Sequence, residues 1–387
     1  MTNAAWNAVT AEAVDFRRAL HREPELAWQE EDTAAAIRQK LDELGISWRV
    51  CAGTGTVGTL AAARSGRHVA LRADIDALPI QEESGAAWTS SRPGFMHACG
   101  HDGHAATLFA AATWLKRHED SLPGPVSLLF QPAEEGGHGA KRMIEDGALE
   151  GVGAIFGWHN WPAIPYGKAV CPDGAVMAGN GSFEIEVKGQ GGHSSQPEAC
   201  RDPVLAGSAI VVALQQLVSR RLSPQYATVL SVTSFEAPSA LTVIPDTAWL
   251  KGSFRLGNSG TRQPLSDLIV EVAESTAKAH GVECEVTIHP RYDATINHPE
   301  EATEYRQALV AELGDAVIDR DLPLPIMASE DFSYYLKEVP GAFALIGADD
   351  GKGHHHPCHS PMYDFNDRLI APVAAVFARL AGAPVPA

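Results

Sequence analysis

A chain of 387 residues is too long for one ordinary domain core and comfortable for two. Its formal net charge of -18 comes from acidic residues spread along the chain, which excludes a nucleic-acid footprint and fits simple solubility. The N-terminus lacks a basic start followed by an apolar run, and the longest apolar stretch, residues 204–218, is broken by Ser208, Gln215 and Gln216, so neither a signal peptide nor a membrane span is expected. Six scattered cysteines fit free thiols in a reducing compartment, and the expected address is the cytoplasm.

In chain order, residues 25–44 carry helix formers and end at Gly45, so the chain is expected to open with helices. The short apolar runs 69–71, 126–130, 154–156 and 342–346 read as strands buried on both faces, with helices over 105–116 and 369–380 to cover them. That alternation predicts an α/β fold with a mostly parallel sheet. Between 181 and 291 the texture changes to half-buried strands. The order there is strand 183–188, helix 204–220, strands 228–235 and 247–256, helix 265–280 and strand 283–289. This βαββαβ order is that of a ferredoxin-like α+β domain. It is expected as an insertion, giving catalytic parts at 1–180 and 292–387 around an inserted domain at 181–291.

In an open parallel sheet, ligands bind beyond the carboxyl ends of the strands. After residue 71 come Asp74 and Asp76; after 130, Glu134 and Glu135; after 156, His159; after 346, the histidines ending at His359. A fifth group, Cys99, His101, Asp102 and His104, precedes the alanine-rich helix. One histidine after a strand is usually a hydrogen-bonded loop residue, but five such groups on one edge point to a transition-metal site. Cys99 lies close to a helix N-terminus, where a thiolate is favoured. Glu134 and Glu135 are adjacent, and adjacent side chains in extended chain diverge, so one can ligate while the other takes a proton from water and passes it to a leaving nitrogen.

The segments ALRADIDALPI, HACGHDGHAA, LLFQPAEEGGHGAKRMIEDG, GWHNWP, GQGGHSSQPE, ASEDFSYY and CHSPMYDFND resemble, in order and across nearly the whole chain, the metallopeptidase-related amidohydrolases. That family includes aminoacylases, hippurate hydrolases and auxin-conjugate hydrolases. The resemblance implies a dinuclear catalytic domain holding two divalent ions per subunit, from zinc, manganese, cobalt or nickel. It also implies a lid domain that makes a homodimer, and a small N-acyl amino acid as substrate. By position, Cys99, His101, Glu135, His159 and His359 are the implied metal ligands, with Cys99 bridging, and Glu134 is the implied catalytic base. Wider relatives carry a His-x-Asp pair where this chain has Asp74 and Asp76; here His101 takes over as ligand and Asp76 orients it. His193, in the glycine-rich turn 189–195, is implied to reach across the dimer to the scissile carbonyl as an oxyanion stabiliser.

Arg255, at the end of strand 247–256, is the candidate for holding a substrate carboxylate. His354, His355 and His356 exceed the family pattern and read as solvated loop. Three other readings stand beside the amidohydrolase: a carboxypeptidase or dipeptidase on the same metals, a thiol hydrolase with Cys99 as nucleophile and His101 or His104 as base, and a non-catalytic metal-binding or substrate-binding protein.

Overall fold

The computed structural model describes residues 3–385; the outermost residues of the expected domain bounds, 1, 2, 386 and 387, lie outside the described residues. The chain opens with α1 (Asn3–Arg22) and α2 (Glu31–Glu43). The expected helix over 25–44 is therefore shorter than its helix-forming composition suggests. Pro24 discourages helix just before it, Trp28 takes a left-handed φ of 66°, and Glu25 folds forward so that its carboxylate accepts the Asp32 and Thr33 N–H groups. The unpaired donors of the first turn of α2 are thus met from outside the helix.

There follow β1 (Ser47–Cys51), β2 (Gly55–Leu60), β3 (Val69–Asp74), α3 (His101–Arg117), β4 (Val126–Gln131), α4 (Gly139–Glu145), β5 (Ala154–Pro165) and β6 (Ala169–Val170). Next come β7 (Gly179–Lys188), α5 (Pro203–Gln216), β8 (Thr228–Glu236), β9 (Thr247–Leu256), α6 (Arg262–Ala279) and β10 (Glu283–Pro290). The chain ends with α7 (Pro299–Leu313), β11 (Gly341–Asp349) and α8 (Ile370–Leu380). It divides into two compact units, one of Met1–Val176, Ile296–Leu322 and Asp331–Ala387, the other of Met177–Thr295 and Pro323–Glu330.

The first unit is built on a seven-stranded sheet in the order β1-β2-β4-β3-β5-β11-β6. Its four central strands, β4, β3, β5 and β11, run parallel, while β1, β2 and β6 are added antiparallel at the edges. Every residue of β3 and β4 is buried, as expected of strands covered on both faces. Alanine-rich α3 and α8 pack together on one side, their small side chains allowing close approach.

β5 is the main departure. It runs on through His159 to Pro165 rather than stopping at 156. β3 pairs with it only as far as Phe156, whereas β11 continues alongside through Trp161. Past Phe156 one edge of β5 has no strand partner among the described residues, and His159 stands in this overhang.

The second unit contains a four-stranded antiparallel sheet in the order β8-β9-β7-β10, with α5 and α6 packed against each other. Side chains along β9 alternate between buried and half-exposed, the period of a sheet covered on one face. The stretch 203–221 is long and apolar enough to cross a membrane by length and composition. Its inner face, including Ala206, Ile210 and Leu214, is buried in this unit's core, while Leu205 and Val212 face outward.

Candidate metal centre

The edge of the first unit beyond β3, β4 and β5 collects polar side chains that are otherwise rare in a core. Cys99 and Gly100 lead into α3, whose first residue is His101. Gly100 has φ 94°, and a Cβ there would collide with the Asn160 amide and the Tyr363 hydroxyl, so only glycine lets the chain turn into the helix at this point. The turn after β4 carries Glu134 and Glu135. The pair is not in extended chain, as the sequence suggested, because the Gly136 N–H closes back on the Glu134 carbonyl at 2.6 Å. The two carboxylates still find different partners: Glu134 accepts the Asp331 N–H at 3.3 Å, and Glu135 Oε1 lies 3.0 Å from His359 Nε2.

Cys99 Sγ lies 3.3 Å from His159 Nε2, and the His159 Nδ1–H is directed at the Asn160 carbonyl at 2.6 Å. His101 Nδ1 is 3.1 Å from Asp76 Oδ1, and the other Asp76 oxygen accepts the Glu135 N–H at 2.9 Å. Asp76 thus ties together two of the candidate ligands. The ligand-capable atoms of Cys99, His101 and His159 lie within 4.8 Å of one another, as do those of Cys99, Glu135 and His359 and those of His101, Glu134 and Glu135. All five candidate ligands and Glu134 are therefore brought together. His359, on an exposed loop with φ 69°, is held there by its N–H on the Ala98 carbonyl at 2.8 Å.

Two atoms test whether this arrangement fits metal. His101 Nε2 is buried without a hydrogen-bond partner, although its other nitrogen is fixed by a carboxylate. Glu135 Oε1 is buried likewise; its approach to His359 is short enough for an ion pair but not aligned as a hydrogen bond. Buried polar atoms left open beside a carboxylate-oriented imidazole are what metal ligation requires.

The electrostatics agree. Burial pushes the His101 imidazole down, but Asp74, Asp76 and Glu135 outweigh it and raise it to about 10. The neighbouring Cys358 thiol, burial and the two glutamates push Cys99 well above the usual thiol range, overriding the expected help of the helix N-terminus. Without a cation the cluster holds protons, and divalent ions would replace them.

The structure adds partners that single residues in the sequence did not signal. Asp74 sits between the buried guanidinium of Arg72 and His104, whose Nδ1 is 2.6 Å away. Burial pushes this carboxyl up, but Arg72 and the two histidines hold it well below the usual range. Asn160 donates to the Cys99 carbonyl at 2.8 Å and accepts the Tyr363 hydroxyl at 2.6 Å. Its only sequence signal was its place directly after His159.

His193 and Arg255 belong to the second unit. His193 is exposed, and its Nδ1 accepts from the Ser195 N–H at 3.1 Å, which leaves Nε2 as the protonated, donating nitrogen. Arg255 is half-buried and donates to Ser329 Oγ at 2.8 Å; burial and the nearby charge of Arg291 lower its pKa. His354 pairs with Asp350 at 2.8 Å and His355 stacks on His356; none of the three enters a ligand group among the described residues.

A family model described as peptidase family M20/M25/M40 matches residues 70–383. IAA-amino acid hydrolase ILR1-like 5 of Arabidopsis thaliana is 39% identical over 378 residues, covering 95% of this chain and 85% of the plant protein. Hippurate hydrolase of Campylobacter jejuni is 38% identical over 369 residues, covering 95% of this chain and 94% of that protein. Among solved structures, the YXEP protein of Bacillus subtilis, a dinuclear metal binding peptidase from the M20 family, matches with a TM-score of 0.84 at 32% identity, over 97% of this chain and 98% of that one. The chain belongs to peptidase family M20/M25/M40, with its metal-dependent amidohydrolases.

Proposed function

We propose that this chain hydrolyses the amide bond of N-acyl amino acids, and that Cys99, His101, Glu135, His159 and His359 would hold the two divalent ions it uses. The observation that carries this reading is that His101, oriented by Asp76, has a ligand-capable atom within 4.8 Å of those of both Glu134 and Glu135, and the two glutamates have different partners. When bound, divalent ions such as zinc, manganese, cobalt or nickel polarise an amide carbonyl and bring the pKa of water down to about 7. Glu134, steadied by the Asp331 N–H, takes the proton from the attacking water and returns it to the leaving nitrogen. His193 offers its Nε2–H to the developing oxyanion of a partner copy. Arg255 meets the substrate carboxylate.

The substrate class draws support from the relatives' names, hippurate hydrolase and IAA-amino acid hydrolase. The second unit is read as a ferredoxin-like lid that also makes a homodimer. The outward Leu205 and Val212 of α5 and the exposed Val229 and Phe235 of edge strand β8 support a contact there with a second copy. Six free cysteines support a reducing, cytoplasmic setting.

The test is Glu134→Gln. Turnover of N-benzoylglycine should fall by a factor of about 10² to 10⁴ while bound metal stays near the wild-type level. Loss of metal would move Glu134 into the ligand set, and retained turnover would end its role as base. Mixing Glu134→Gln with His193→Ala subunits should restore activity if sites are completed by the partner copy.

A further inference from the structure

The turn that carries Glu134 is held in an unfavourable shape. Ala133 and His138 both have left-handed backbone, with φ of 53° and 59°, a conformation that crowds a Cβ against the following carbonyl. Gly137 cannot carry a Cβ, which would meet the Ala133 side chain and the Trp28 indole. Such a turn persists only where its surroundings over-determine it. Three carboxylates do so by accepting backbone N–H groups: Glu30 from Ala133 at 2.9 Å, Asp76 from Glu135 at 2.9 Å and Asp331 from Ala140 at 2.9 Å.

Asp76 also touches His101, and the Asp331 N–H meets Glu134, so both already belong to the site. Glu30 touches neither. It is fully buried, and no ion pair among the described residues joins it to a lysine, arginine or histidine. Its other oxygen accepts the Thr54 hydroxyl at 2.7 Å. A carboxylate buried without a cation is expensive to keep, so what it holds matters.

The ordinary use of an acidic residue at this position is to cap its own helix. Glu30 is the N-cap of α2, yet its side chain makes no capping hydrogen bond, and Glu25 serves those donors instead. The Glu30 carboxylate is directed at the neighbouring turn and at Thr54, which orients it.

We propose that Glu30 is a positioning residue for amide hydrolysis: by holding the Ala133 N–H it fixes where Glu134 presents its carboxylate. This rests on the reading of Glu134 as the base. Truncation of Glu30 frees the residue directly before Glu134, and a shift of about 1 Å in a reacting group can cost about 10²-fold in rate.

The experiment compares turnover of N-benzoylglycine by the metal-loaded full chain as wild type, Glu30→Ala, Glu30→Gln, Glu134→Gln and the Glu30→Ala/Glu134→Gln double variant. Bound metal and Tm are measured on each. Glu30→Ala should lower kcat by about 10- to 100-fold, with KM and metal content near wild type. Glu30→Gln, whose amide oxygen still accepts from Ala133 and whose amino group can donate to Thr54, should recover to within about threefold. In the double variant the Glu30→Ala loss should vanish, because a residue acting only through Glu134 has nothing left to position. A purely structural role predicts the opposite, an equal loss in both backgrounds following Tm, and that result overturns the proposal.

Glu30→Met replaces the alanine variant if the latter fails to fold, and a loss of tenfold or more in Glu30→Gln also overturns it. If Glu134→Gln keeps full turnover, the base assignment falls. If Glu134→Gln is inactive while Glu30→Ala turns over like wild type, only the role of Glu30 falls.

Discussion

Two clusters of histidines and carboxylates stand back to back on the first turn of α3, and they are finished differently. On one side Asp102 meets His21 at 2.8 Å and Arg17 at 2.7 Å, with Glu82 on the other nitrogen of His21. Arg17 also reaches Asp364 and Asp367, so its guanidinium closes the group. The Arg17 Nε contact is an ion pair without hydrogen-bond alignment, yet the charges are matched. On the other side His101 meets Asp76, and Glu135 meets His359. Among the described residues no ion pair joins Asp76 or Glu135 to a lysine or arginine. Arg17 closes the first cluster; in the second, Arg72 reaches only as far as Asp74, and Asp76 and Glu135 are left to histidines. A metal centre is marked here less by its histidines, which both clusters have, than by carboxylates, Asp76 and Glu135, that no arginine or lysine meets among the described residues.

A chelator separates the two clusters most strongly. Stripping divalent ions should abolish turnover of N-benzoylglycine, and adding back zinc, manganese, cobalt or nickel should restore it, while the far-ultraviolet circular dichroism spectrum stays that of the folded chain. Activity that survives exhaustive chelation, or that is lost to alkylation despite bound metal, would favour the Cys99 thiol hydrolase.

The next largest effect is on stability and belongs to the closed cluster. Arg17→Met leaves the buried Asp102 with only His21 to match it and should cost about 3–5 kcal/mol in urea unfolding, with or without metal. Glu135→Gln should behave differently. In metal-free protein burial pushes its carboxyl up but His359 and the charge of His101 hold it below the usual range, so its loss should cost only about 1 kcal/mol, whereas with metal present it should lose both ions and their stabilisation. A substantial loss for Glu135→Gln in the metal-free state would mean that this cluster, too, is complete without a cation.

The sequence carried one cluster and not the other, for a physical reason. Cysteine, histidine and paired glutamates after apolar runs are conspicuous, and the rule that parallel strands deliver ligands to one edge gathered the groups around Asp74, Cys99, Glu134, His159 and His359, while the choice of Cys99, His101, Glu135, His159 and His359 among them came from the family resemblance. Arg17 lies in the middle of a helix, where an arginine normally faces water, and its partner Asp364 is 347 residues away. Nothing local marks it as buried. Asn160 and Glu30 were hidden likewise, since a single amide or acid reads as surface until its neighbours are known. The parallel strands were legible from their apolar runs, whereas the length of β5 depended on pairing with β11 and the break before α2 on Trp28 and Glu25, which composition does not display.

The smallest effect sharpens the comparison through pH. Burial pushes the His21 imidazole down, but the Asp102 carboxylate, its hydrogen bond and the one from Glu82 outweigh that, leaving the pKa raised despite the opposing charge of Arg17. Asp102, which burial pushes up and Arg17 pulls down further, stays ionised throughout the accessible range. The other group facing His21 is His97, with ring centres 6.2 Å apart; burial lowers it to about 4, so it stays neutral above that pH. A histidine whose folded pKa lies above its unfolded value of about 6.5 binds protons more tightly when folded. Its contribution is therefore fully present below about pH 6.5 and fades as the pH rises through the folded value. In metal-free protein, the urea midpoint of wild type should exceed that of His21→Gln most at pH 6, and the gap should narrow steadily toward pH 9. A gap that widens with pH would mean that His21 is held neutral, and Asp102 would then rely on Arg17 alone for its matching charge.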